Sequence, residues 1–129
     1  MISSSAFNYI NVLEKAADAS WTRNTVLANN IANVDTPNYK RQDVKFEDYL
    51  ANALHSDSVL DNAVNSMDLK TITPTVYTDQ AELSYRLDGN NVDIDVEQAN
   101  YAENQIKYNA ILDSITQEFK RLNSVLNNI

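Results

Sequence analysis

The chain has 129 residues and a formal charge of −8, from eighteen acidic against ten basic side chains. That length predicts one domain, and the acidic balance argues against non-specific binding to nucleic acid or anionic membranes, which needs a basic surface. Cysteine is absent and there is one histidine, His55, and one glycine, Gly89; this removes disulfides, thiolate metal sites, cysteine nucleophiles, histidine pairs and glycine-rich phosphate loops together.

The start, Met1-Ile2-Ser3-Ser4-Ser5-Ala6-Phe7, has no basic residue before Lys15. It therefore lacks the pattern of a secretory signal, and no apolar run is long enough to span a bilayer. The expectation is a cytoplasmic chain, or one exported by a route that reads something else.

Residues 1–34 form a first zone with an apolar helical pattern. Ile10, Ala17 and Ile31 share one seven-residue register, and Leu13, Leu27 and Val34 share its partner register, with Ser20 and Asn24 interrupting the seam. Phe7, Trp21 and Ala28 lie on an adjoining stripe. Two stripes on one helix predict contacts with more than one neighbour; burial inside a small domain explains the pattern equally well.

The middle zone, residues 35–92, holds both prolines and carries ten acidic and five basic side chains. Asp35-Thr36-Pro37-Asn38 reads as a turn, with Pro37 fixing its own φ and Asn38 tolerating positive φ. Phe46, Tyr49, Leu50, Ala53 and Leu54 are spaced for one short amphipathic helix. From His55 to Lys70 the polar, acidic sequence predicts a mobile loop. Thr71–Tyr77 and Ala81–Leu87 are β-prone and lead to a turn at Asp88-Gly89-Asn90-Asn91.

Residues 93–129 give the clearest signal. Ile94, Tyr101, Tyr108, Ile115, Leu122 and Ile129 recur every seven residues, and Leu112, Phe119 and Leu126 supply the matching second seam, with Gln105 as its polar member. Such a repeat keeps one seam toward a partner helix. A helix from about Val96 to Leu126 would be roughly 45 Å long, with Asp95 as its predicted cap. The expected fold is mainly α: long N- and C-terminal helices packed as an antiparallel coiled coil. Between them lies a mostly irregular segment with one short helix and room for a small β-hairpin.

Chemistry is sparse. The oxygens of residues 88–95 invite a calcium loop, but the glycine stands second rather than sixth and no closing glutamate follows, so a turn and helix cap explain them. His55 reads as a solvated loop residue. No catalytic, cofactor-binding or metal-ligating residue is expected. The eighteen asparagines are more informative, since Asn29, Asn30 and Asn33 crowd the end of the first helix as caps or as hydrogen-bonding groups. Two helices alone bury too little to offset their ordering entropy, with no disulfide or metal to help. The terminal helices are therefore expected to be frayed in the free monomer and ordered on assembly.

The stretch Leu27-Ala28-Asn29-Asn30-Ile31-Ala32-Asn33-Val34-Asp35-Thr36-Pro37-Asn38-Tyr39-Lys40 closely resembles the N-terminal signature of flagellar rod, hook and hook-associated proteins. Asp88–Glu97 followed by Asn104-Gln105-Ile106-Lys107-Tyr108 resembles the short, proximal rod members of that family. Asn38 stands where many members have glycine. The resemblance implies a structural subunit of the flagellar basal body rod, in the periplasm, exported unfolded by the flagellar type III apparatus without a cleaved signal. It also implies assembly with other rod proteins, with the MS-ring junction and with copies of itself. The expected interface is Tyr108, Leu112, Ile115, Phe119, Leu122 and Leu126, with Ile10, Leu13, Leu27 and Ile31 facing it. Asn29, Asn30 and Asn33 would lock the helix end, and Thr36, Pro37, Asn38 and Tyr39 would set the chain's exit. The competing reading from composition is a soluble acidic helical binding module, such as an export chaperone.

Overall fold

The computed structural model describes residues 4–83 and 86–128. Two long helices, α1 (Ser4–Ala32) and α4 (Ile94–Asn127), frame strand β1 (Gln42–Lys45), short helices α2 (Glu47–Leu54) and α3 (Leu60–Ser66), and strand β2 (Thr75–Thr78). The two long helices run antiparallel: Asn30 meets Glu97, Ser20 meets Asn104, and Trp21 stacks at 5.9 Å on Tyr108. The mainly helical expectation stands, with α4 starting close to its predicted position. Its cap is Asp93 rather than Asp95: the Asp93 carboxylate accepts from the Asp95 and Val96 N–H groups at 3.1 and 3.3 Å.

The main correction concerns where the core lies. The sequence puts it in the seam between the long helices and leaves residues 55–70 as mobile loop. Instead Ala19 and Val26 of α1 pack against Val44, Phe46 and Ile72 of the middle segment. Within the expected loop, α3 buries Ala63 and Val64. Small and β-branched side chains in a polar stretch give little periodicity, yet these two residues suffice to anchor a short helix on α1. The expected short helix after Phe46 is α2, and the buried Phe46 ring lies just ahead of its first turn.

The strands also differ from expectation. β2 pairs antiparallel with β1, Val44 opposite Val76 and Gln42 opposite Thr78, rather than with the 81–87 stretch. Residues 84–85 of that stretch lie outside the described residues, and 81–83 form no strand. β1 was missed because its four residues, Gln-Asp-Val-Lys, carry one apolar side chain. Arg23 and Asn30 of α1 bond the outer edge of β1, through the Val44 carbonyl at 2.6 Å and both backbone groups of Gln42. A helix thus takes the place of a third strand.

Candidate subunit-assembly site

The signature Leu27–Lys40 ends α1 and turns the chain back. Asn33, Val34 and Thr36 would leave carbonyls without helical partners. All three accept from one side-chain amide, that of Asn90, at 2.9, 3.0 and 2.9 Å. Arg86 adds a bond to the Val34 carbonyl at 2.8 Å. Asn38 takes the expected positive φ, 60°, and its N–H donates to the Asp88 carbonyl at 2.8 Å. Gly89 faces it at φ +75°, so close that a Cβ there would stand 2.7 Å from the Asn38 Oδ1. The single glycine is required by its own φ, and any side chain there would also displace the Asn38 amide.

Asn30 is the pivot of the motif. It is fully buried and satisfies its whole amide: the NH₂ donates to the Gln42 carbonyl at 2.7 Å and the Glu97 carboxylate at 3.0 Å. Its oxygen accepts from the Gln42 N–H at 2.9 Å and the Tyr39 hydroxyl at 3.1 Å. Glu97, on α4 and 1% exposed, also accepts from the Arg41 guanidinium. Arg41 reaches Asp43 and Asp79 as well, at 3.2 and 3.3 Å. Burial works against its charge, but the bonds to Glu97 and Asp43 more than reverse this and hold its pKa above the ordinary value. Asn91 completes the knot by accepting from the Arg41 N–H at 2.6 Å and donating to the Asp79 and Ala81 carbonyls, both at 2.8 Å. The arrangement has no group poised to react; it ties three segments of chain into one body.

A second clamp lies about two turns back along α1. Glu47, in the first turn of α2, accepts from Arg23 of α1 and from Lys107 of α4 at 3.4 Å. The Arg23 hydrogen bond draws the Glu47 pKa down to about 2.

The residues expected at an interface divide into two sets. Ile10, Leu27 and Asn30 are buried within the chain's own core, Leu13, Ile31, Asn33 and Tyr39 are half-buried, and Asn29, Thr36, Pro37 and Asn38 are exposed. On α4, Tyr108, Ile115 and Leu122 are half-buried along the flank of α1. Leu112, Phe119 and Leu126 stay 40%, 51% and 52% exposed. Along residues 97–111 the face toward α1 differs from the expected seam, while Phe119 and Leu126 still line a groove with Phe7 of α1. The side of α4 that meets α1 instead carries Glu97, Asn104, Ile111 and Glu118, a second series spaced by seven. Phe7 of α1 closes one side of an apolar groove of about 510 Å³ with Phe119, Leu122 and Leu126. Sequence reading missed Glu97, Asn104, Arg41 and Asn90 because it followed apolar side chains; the seven-residue spacing of the polar series was the available signal.

Residues 10–40 match the family described as flagella basal body rod protein, and curated relatives align over nearly the whole chain, so the chain belongs to the flagellar basal body rod protein family. It is similar to the flagellar basal body rod protein FlgB of Bacillus subtilis, 35% identical over 91% of this chain and 92% of the relative. FlgB of Borrelia hermsii is 34% identical over 91% and 94%, and that of Escherichia coli 32% over 88% of each. As a member of this family the chain is a structural subunit of the rod in the flagellar basal body, which replaces the chaperone alternative. No helix among the described residues is long and apolar enough to cross a membrane.

Proposed function

We propose that this subunit belongs to the proximal part of the rod and polymerises helically, its long helices forming coiled-coil contacts with other rod proteins, with copies of itself and with the MS-ring junction. It reaches the periplasm as a substrate of the flagellar type III apparatus, and in the rod it transmits torque. The observation that carries this reading is the ridge of Leu112, Phe119 and Leu126, each about half exposed along one side of α4. A row of large apolar side chains on a monomer marks a surface that other protein covers. A heterologous contact that does not close generates a helical tube, which fits a shaft. The polar knot supports it too, because a torque-bearing subunit must be internally rigid where its neighbours push on it.

The test is to place a carboxylate on the ridge. Leu112→Asp or Phe119→Asp should leave the free chain's circular dichroism unchanged and abolish rod assembly and motility. A motile strain with intact rods carrying either substitution would refute the reading.

A further inference from the structure

The helix α4 carries two seams that share Tyr101, Tyr108, Ile115 and Leu122. One adds Glu97, Asn104, Ile111 and Glu118; the other adds Gln105, Leu112, Phe119 and Leu126. Counting apolar side chains, the second should dock on α1, since burying Leu112, Phe119 and Leu126 removes more apolar surface from water than burying Ile111 and Val125, the latter 53% exposed at the helix end. The first docks instead. Adjacent positions stand about 100° apart on a helix, so the mid-lines of the two seams differ by about 50°. The helix is thus turned by that angle from the orientation its apolar residues favour.

Two polar contacts hold the helix in this turned position. The Asn104 amide, 3% exposed, donates to the Ser20 carbonyl at 2.8 Å and the Asn24 Oδ1 at 3.1 Å. Seven residues earlier Glu97 is held by Asn30 and Arg41. Asn104 lodges there although its own Oδ1 finds no partner among the described residues, an arrangement that stability alone disfavours. A buried asparagine in a helix seam that costs stability and selects geometry is a known device for choosing one packing among several.

We infer that Asn104, backed by Glu97, is a rotational key: it fixes which face of α4 meets α1 and so keeps the Leu112–Phe119–Leu126 ridge turned outward. Replacing Asn104 by leucine frees the helix to roll. Thr116, on the flank of the ridge, then moves toward α1, and Glu118, on the polar seam, moves away.

Because the chain has no cysteine, single thiols report the roll in the full-length protein. Alkylation rates are measured for Thr116→Cys and, separately, Glu118→Cys, in the parent background and with Asn104→Leu. The expected result is opposite movement: at least threefold slower labelling at position 116 and at least threefold faster labelling at 118. A merely structural asparagine would loosen the pair when removed and speed both thiols. A second background, Asn24→Leu with Asn104→Leu, makes the whole layer apolar and decides the matter should the single change lose helical circular dichroism. Any pattern other than opposite movement in these directions overturns the assignment. The outcome does not depend on rod assembly.

Discussion

Replacing Asn30 by alanine tests the account of the polar knot most directly. The substitution removes four hydrogen bonds from a side chain with no solvent exposure. The Tyr39 hydroxyl is half-buried and can turn to water, and Glu97 keeps Arg41, so neither is fully stranded. The N–H and carbonyl of Gln42 are the groups left short, facing the helix that covered them. An unsatisfied buried polar group costs about 1–3 kcal/mol, so the pair should lower stability by roughly 2–6 kcal/mol. With a urea dependence of about 1.5 kcal/mol per molar for a chain of this size, the midpoint should fall by about 1.3–4 M. Asn30→Asp should cost more, because it removes both donors and sets a second carboxylate beside Glu97. The neighbouring Asn29 is exposed, and Asn29→Ala should shift stability by less than about 0.5 kcal/mol. Urea titration followed by circular dichroism at 222 nm measures all three. An Asn30→Ala chain within 0.5 kcal/mol of the parent would mean that the knot is decoration.

Three further outcomes are expected. Glu47 has its pKa lowered from 4.5 to about 2 by its hydrogen bond from Arg23, so its contribution to stability is present above about pH 4.5 and is lost as pH falls toward 2. Glu47→Gln should accordingly flatten the acid limb of Tm against pH in that window; an unchanged limb would contradict the clamp. Gly89→Ala forces a side chain into φ +75° and against Asn38, which should destabilise by about 1–2 kcal/mol. Adding Asn38→Gly should recover part of that loss, and strict additivity in urea titration would argue against contact between the two. In dilute free chain the amides of α4 beyond Leu122, where every described side chain is exposed, should exchange within minutes and become protected on assembly. Equal protection in both states, read by hydrogen exchange with mass spectrometry, would count against ordering by neighbours.

Much of this architecture can be read from spacing. The seven-residue rows of α4, the breaks at Asp35–Asn38 and Asp88–Asn91, and the left-handed Asn38 all follow from local chemistry that a sequence displays. The core does not, because Val44, Phe46, Ala63, Val64 and Ile72 are scattered among charged residues, and each matters only through what it touches on α1. The choice of seam on α4 was equally hidden. It is decided by contacts such as Ser20 with Asn104 and Asn30 with Glu97, whose members stand 84 and 67 residues apart. Periodicity weighs oily side chains and ignores amides, so it favoured the face that the folded chain leaves uncovered.

The carbonyls that close α1 take their donor from Asn90, 57 residues downstream of Asn33. That distance imposes a schedule. A polypeptide delivered amino end first has only local turn bonds at this helix end until Asn90 has arrived, and it waits longer still for Glu97 and Asn104. The long-range ties of this helix end therefore form only once the carboxyl-terminal part of the chain is present.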